Sequence, residues 1–153
     1  MQDTIHKIRA FNRFYLPTMN LLGDHYLESE YSIAQIRTLF EIYENAGCNA
    51  AYIARLFNID KSYLSRILKD HEANGYLRRE RSETDSRSYR LYLTEAGIQK
   101  AETFIRLSNR EVETVIRNLS PEERSQLTDA LDTVTTLLRK SHDRQEPGTE
   151  HWK

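Results

Sequence analysis

Apolar positions near the start of the chain recur at the period of a helix. Ile5, Ile8, Phe11, Tyr15, Met19 and Leu22 stand three or four apart, which lines one helical face and predicts a first helix over residues 4–22, bent near Pro17. Phe14, Leu16 and Leu21 lie off that stripe, so this helix is apolar on more than one side and has a second surface to cover. After the polar stretch "GDHYLESEY", Ser32 can cap a helix carrying Ile33, Ile36, Leu39, Phe40 and Tyr43, with Gly47 as its stop. Asn49 can cap a short helix through Ala50, Ile53, Ala54, Leu56 and Phe57. Beyond the turn "NID", Asp60 can cap another, whose Leu64, Ile67 and Leu68 form one narrow stripe and whose left-handed stop is Gly75.

The period then changes from helical to alternating. "YLRRER" and "YRLYL" flank "SETDSRS" and read as a hairpin with a long polar loop, Leu77, Leu91 and Leu93 facing inward and the arginines largely in water. Thr94 can cap a helix that runs to about Asn118, with Ile98, Ala101, Ile105, Ser108, Val112, Val115 and Leu119 as a coiled-coil-like seam. Ser120, Pro121 and Glu123 form a capping-box start for a last helix lined by Leu127, Leu131, Val134 and Leu138.

Helix, turn, helix, hairpin over residues 49–93, within a winged helix spanning 32–93, is the order of a winged helix-turn-helix, in which one helix braces, the next enters a groove and the hairpin reaches sideways. The expected fold is mainly α with a small β-hairpin: a winged helix-turn-helix core flanked by N- and C-terminal dimerisation helices at 4–22 and 94–140, one domain over 1–140. Residues 141–153, including Pro147, Gly148 and Trp152, read as a flexible polar tail.

Charge changes the picture only when it is located. The 153 residues carry a net charge of -1, but residues 55–93 hold nine Lys/Arg against six Asp/Glu, so the middle is locally basic. Within it, Lys61, Ser62, Ser65, Arg66 and Lys69 fall opposite the apolar stripe, with Tyr63 beside them. Cations and short hydroxyls on one helical face can hold phosphates and approach base edges; the plainer alternative is a solvated face, which the downstream hairpin argues against. Asp85, Ser86 and Arg87 sit at the hairpin loop. The carboxylate is close enough to fix the guanidinium or the loop backbone, and a pre-ordered arginine on a narrow loop suits a minor groove.

Asp85, Arg87, Leu93, Thr94 and Gly97 match the D-x-R…L-T-x-x-G signature of the MarR family of bacterial transcription regulators, which the chain resembles over roughly residues 4–140. "AAYIARLFNIDKSYLSRILKDHEANGYLRR" resembles that family's helix-turn-helix. "IRAFNRFY" with "DKSYLSRIL" is most similar to the branch often fused to a GNAT acetyltransferase, and the short sequence after the last helix shows no acetyl-CoA pyrophosphate loop. The resemblance implies a homodimeric regulator on a pseudo-palindromic double-stranded operator; repression is the outcome it implies, though the residues themselves do not separate repression from activation. It also implies a pocket for a small aromatic effector, for which Phe11, Tyr15, Phe40 and Tyr43 are candidates, with core packing their default role. The competing class is a winged-helix protein-interaction module, or an orphaned regulatory partner of an acetyltransferase.

His71 departs from the family pattern, which continues the apolar stripe with leucine; it reads either as a satisfied, half-buried histidine or as a pH-sensitive joint. The five histidines are scattered and the single Cys48 can form no internal disulfide, so neither a metal site nor an oxidising compartment is expected. Cys48 itself reads as an inert small hydrophobe rather than a redox sensor. No catalytic motif and no cofactor loop is present, no stretch approaches the roughly 20 apolar residues of a membrane span, and no signal segment opens the chain. A cytoplasmic protein without enzymatic activity, metal or cofactor is the expectation.

Overall fold

The computed structural model describes residues 1–143; His151, Trp152 and most of the expected polar tail lie outside the described residues. Among them are six helices and one hairpin, in the order α1 (Gln2–Thr18), α2 (Ile33–Glu44), α3 (Ala50–Phe57), α4 (Lys61–Ala73), β1 (Leu77–Arg81), β2 (Tyr89–Leu93), α5 (Glu95–Ile116) and α6 (Pro121–Asp143). The fold is mainly α with a small antiparallel hairpin. Two units make up the chain, Met1–Glu113 and the part from Thr114 onward, the boundary falling inside α5.

The caps are the expected ones. Ser32 accepts the Gln35 amide at 3.3 Å while Gln35 Oε1 accepts the Ser32 amide at 2.8 Å, a reciprocal capping box. Asn49 Oδ1 accepts the Tyr52 amide at 2.8 Å, and Ser120 and Glu123 form the box that starts α6. Gly75 is left-handed at φ +76°, where a β-carbon would be strained.

The first helix is shorter than the apolar spacing suggests. Pro17 sits in the last turn of α1, which ends at Thr18; the Met19 amide still reaches the Tyr15 carbonyl at 2.9 Å. The Thr18 hydroxyl returns to the Phe14 carbonyl at 2.7 Å, and Asn20 turns left-handed at φ 55°. Leu22 is therefore outside the helix. The polar stretch that follows is no mere linker: Tyr26, Leu27 and Tyr31 are buried. Its loop is closed by the Tyr26 amide on the Tyr31 carbonyl at 2.8 Å and by Ser29, whose hydroxyl donates to the Tyr26 carbonyl at 2.6 Å.

Two apolar clusters fill the first unit. One joins those loop residues to Ile36 and Leu39 of α2 and to Ala101 and Phe104 of α5. The other joins Ile42, Ile53, Ala54, Leu64, Leu68, Leu77 and Leu91, so α2, α3, α4 and both strands share one core. Leu93 packs against both. The α2–α3 loop adds a short third edge to the hairpin, the Gly47 amide donating to the Leu91 carbonyl at 2.8 Å and the Leu91 amide to the Cys48 carbonyl at 2.9 Å.

The heptad-like seam of α5 divides. Gly97, Ala101 and Phe104 are the buried face, while Ile98, Val112 and Val115 are exposed. Phe104, which is outside the sequence stripe, takes the core position because its ring meets Tyr31 edge-on at 5.7 Å.

Candidate nucleic-acid interface

Asp60 starts α4 and orders its first turn. Its carboxylate accepts the Ser62 hydroxyl at 2.5 Å and the Ser62 amide at 3.4 Å; the Ser62 hydrogen bonds hold the Asp60 carboxyl below its ordinary value. Leu64, Ile67, Leu68 and His71 are buried beneath the helix. Lys61, Ser62, Tyr63, Arg66 and Lys69 are exposed on the other side and Ser65 is half-buried, so the structure brings these six onto one solvent-facing surface. The Arg66 guanidinium lies 5.8 Å from the Tyr63 ring centroid, a cation–π contact that limits where it points.

His71 is wholly buried rather than half-buried. Its Nε2–H donates to the Gln35 carbonyl of α2 at 2.9 Å, since a carbonyl can only accept, and Nδ1 is buried with no hydrogen-bond partner among the described residues. Burial pushes its pKa down, against smaller upward effects of the Gln35 carbonyl and Asp70. The ring stands between Tyr31 at 6.3 Å and Tyr76 at 6.4 Å. Lys100 caps the same aromatic group, its Nζ 5.3 Å from Tyr31, 5.8 Å from Tyr76 and 5.3 Å from Phe104. These five residues come from four parts of the chain, Lys100 and Phe104 both from α5, and no local spacing in the sequence signals their meeting.

The hairpin is tied to α4 by Arg79, whose Nε donates to Glu72 Oε2 at 3.1 Å. At its tip Asp85, Ser86 and Arg87 are all exposed. Asp85 Oδ1 accepts the backbone amide of Arg87 at 3.0 Å and the Asp85 carbonyl accepts the Ser88 amide at 3.0 Å, an Asx-type turn. Of the two roles open to the carboxylate, it takes the backbone one. That leaves the guanidinium pointing from a fixed turn into solvent.

The four aromatic candidates for an effector pocket fall into two pairs. Phe11 and Tyr15 stack on α1 with centroids 5.1 Å apart. Phe40 and Tyr43 pack partly buried against the first core cluster, the Tyr43 hydroxyl donating to Glu102 at 3.2 Å. An open groove of about 620 Å³ on α1 is lined by other residues, among them His6, Arg9, Arg13 and Leu22. Cys48 is half-buried, and burial with the nearby Glu41 pushes its thiol up to about 11, which disfavours the reactive thiolate. Among the described residues no group of three or more His, Cys, Asp or Glu could hold a metal, and no helix is long and apolar enough to cross a membrane.

Known proteins resemble the chain in part of its sequence and in its fold. Residues 30–88 match the MarR family model. The chain is 28% identical over 100 residues, 65% of its length, to the HTH-type transcriptional regulator YdgJ of Bacillus subtilis. It is 32% identical over 88 residues, 58% of its length, to the HTH-type transcriptional regulator TtmR of Methylorubrum extorquens. The aligned parts span 61% and 42% of those two relatives. The crystal structure of Streptococcus pneumoniae FabT in complex with DNA superimposes with a TM-score of 0.64, covering 91% of this chain and 95% of that one at 23% identity. The helix-turn-helix together with the first strand and tip of the wing, which the family model matches, are the same segment that carries the exposed basic face and the Asx-ordered arginine, and over residues 30–88 the chain matches the MarR family.

Proposed function

We propose that this protein is a sequence-specific double-stranded-DNA-binding transcription regulator that acts in the cytoplasm as a homodimer. The observation that carries the reading is the pairing of α4, with Lys61, Ser62, Tyr63, Ser65, Arg66 and Lys69 on its open face, with a wing whose Arg87 is held out by Asp85. In a major groove α4 presents hydroxyls and cations to base edges and phosphates, while Arg87 enters the adjoining minor groove, where negative potential is strongest. Asp85 and Ser86 shape that tip. FabT, which shares the fold, is known in complex with DNA.

Dimerisation is supported by apolar surface that one copy leaves in water. Ile5, Ile8, Phe11 and Phe14 are 41–67% exposed along α1 and Leu127, Leu131, Val134 and Leu138 are 38–55% exposed along α6, faces of the kind that mark an interface. A two-fold pair doubles the contacts of one recognition helix and sets a pseudo-palindromic operator. Effector control, with Phe11, Tyr15, Phe40 and Tyr43 contributing to a small aromatic ligand's site, belongs to the same reading, as does repression of transcription.

Selection of bound fragments from the source genome tests the proposal. Enrichment of a shared inverted repeat, its half-sites about one helical turn apart, is the expected outcome. Recovery of fragments without a common sequence would sink the claim of specificity.

A further inference from the structure

The wing stem holds three arginines in β1, and they are not equivalent. Cross-strand partners share a face, so Leu77 with Leu93, Arg79 with Leu91, and Arg81 with Tyr89 lie on one side of the hairpin, and Arg78 with Tyr92 and Glu80 with Arg90 on the other. The first side is turned toward α4, because Leu77 and Leu91 are buried with Leu64 and Leu68 and Arg79 bonds Glu72 of α4. On the outer side Arg78 is ion-paired with Glu80 and stacked over Tyr92 at 4.6 Å. Arg79 is likewise occupied by a carboxylate. Arg81 differs: its described partner is an aromatic ring, Tyr89, at 6.0 Å, and both residues are exposed.

Arg81 thus stands on the α4-facing side of the wing, roughly 7 Å beyond Arg79 toward the tip at strand rise. A duplex that takes α4 in its major groove and Arg87 in the adjoining minor groove must carry one sugar-phosphate strand between the two, past this part of the stem. We propose that Arg81, held by the Tyr89 ring, is a phosphate-binding residue for the strand that divides the grooves. The proposal rests on the DNA-binding reading above and adds a contact to it. A guanidinium whose partner is a ring keeps its hydrogen-bond donors for a phosphate, whereas one already paired with a carboxylate must first give that partner up. Such a contact positions the protein and carries no base information.

The test uses full-length wild type, Arg81→Gln, Arg81→Lys and Tyr89→Leu. Each is titrated by anisotropy against a labelled duplex of the fragment the wild type enriches and against a scrambled duplex, across a salt series. Arg81→Gln should weaken both complexes by roughly tenfold and lower the slope of log affinity on log salt by about 0.9, with unchanged thermal stability. Arg81→Lys should recover most of the slope, and Tyr89→Leu should fall between. Ethylation of the phosphates between the grooves should interfere with wild-type binding but not with Arg81→Gln. Wild-type affinity and slope in Arg81→Gln, or a loss confined to the selected fragment, would overturn the assignment while leaving DNA binding intact. A wild-type protein that binds neither duplex would overturn both.

Discussion

A β-carbon on Gly97 would lie 2.0 Å from the carbonyl oxygen of Tyr76, closer than any side chain can approach. That oxygen accepts the Thr94 amide at 3.0 Å. Thr94 also donates its hydroxyl to the Gly75 carbonyl at 2.5 Å and accepts the Gly97 amide at 3.1 Å. The first turn of α5 is thereby clamped onto the exit of α4. The spacing Thr94-x-x-Gly97 is a packing requirement: a cap that reaches one carbonyl, and a bare α-carbon one turn later to admit the next.

Gly97→Ala should therefore destabilise the fold by about 1–3 kcal/mol or more, the cost of forcing extra volume into a closed contact. The obstructing atom is backbone and cannot rotate away. Urea denaturation checks this; an unchanged midpoint would mean the clamp gives freely.

His71 predicts a pH dependence of stability. Its folded pKa lies below the ordinary 6.5 because burial disfavours the charged ring, so the unfolded chain binds the extra proton more readily. The histidine's contribution is full above about pH 6.5 and is lost as pH falls from there through the depressed folded value. Facing groups are the Gln35 carbonyl, the Tyr31 and Tyr76 rings and the neighbouring Asp70; none supplies a buried charge to hold an imidazolium. Denaturation midpoints between pH about 7 and about 5 should drop more steeply for wild type than for His71→Leu. Parallel curves would count against it.

Much of this was legible because local rules govern it. Ser32, Asn49, Asp60 and Ser120 cap where their position before an apolar stripe says they should, and alternation around "SETDSRS" marks both strands. What escaped depends on contacts between distant segments. Phe104 displaced the sequence stripe on α5 because Tyr31 awaits it from the loop before α2. Leu27 and Glu28 adopt left-handed backbone within a loop that reads as polar, and Glu72 reaches Arg79 across seven residues through the turn at Gly75. For the site, the open face of α4 follows from helical period alone, while Asp85 needed the observed turn to choose between backbone and guanidinium.

Asp85 and Arg87 should behave as a unit in DNA binding. Arg87→Ala removes the cation proposed to enter the minor groove; Asp85→Ala frees the amide that fixes its turn and acts through the wandering of the loop. In a double-mutant cycle at fixed salt the coupling should be about 0.5–3 kcal/mol, the double variant binding little worse than Arg87→Ala alone. Additive losses would separate their roles.

If the proposed homodimer pairs through the apolar face of α6, placing charge there should dissociate it. Leu131 and Leu138 are 46% and 55% exposed, so Leu131→Glu with Leu138→Glu leaves the core of one copy intact and puts two carboxylates where a partner would bury them. Sedimentation equilibrium should give monomers, with a native helical spectrum. An undisturbed dimer would move the interface elsewhere.

Arg66 separates base reading from phosphate holding. Arg66→Ala should weaken specific binding by about 1–3 kcal/mol and relax the preference at one position of each half-site if the side chain reads a base. A uniform loss on all duplexes would mark a phosphate contact.

Competition binding tests the central claim most directly. Full-length protein is titrated onto a labelled duplex of its enriched genomic fragment, with a large excess of unrelated DNA present and the stoichiometry read from the break point. A sequence-specific winged-helix dimer keeps its complex under competition, with two protomers per duplex, and loses it with Arg87→Ala. A complex that dissolves in proportion to the competitor, or one indifferent to Arg87, would contradict the account.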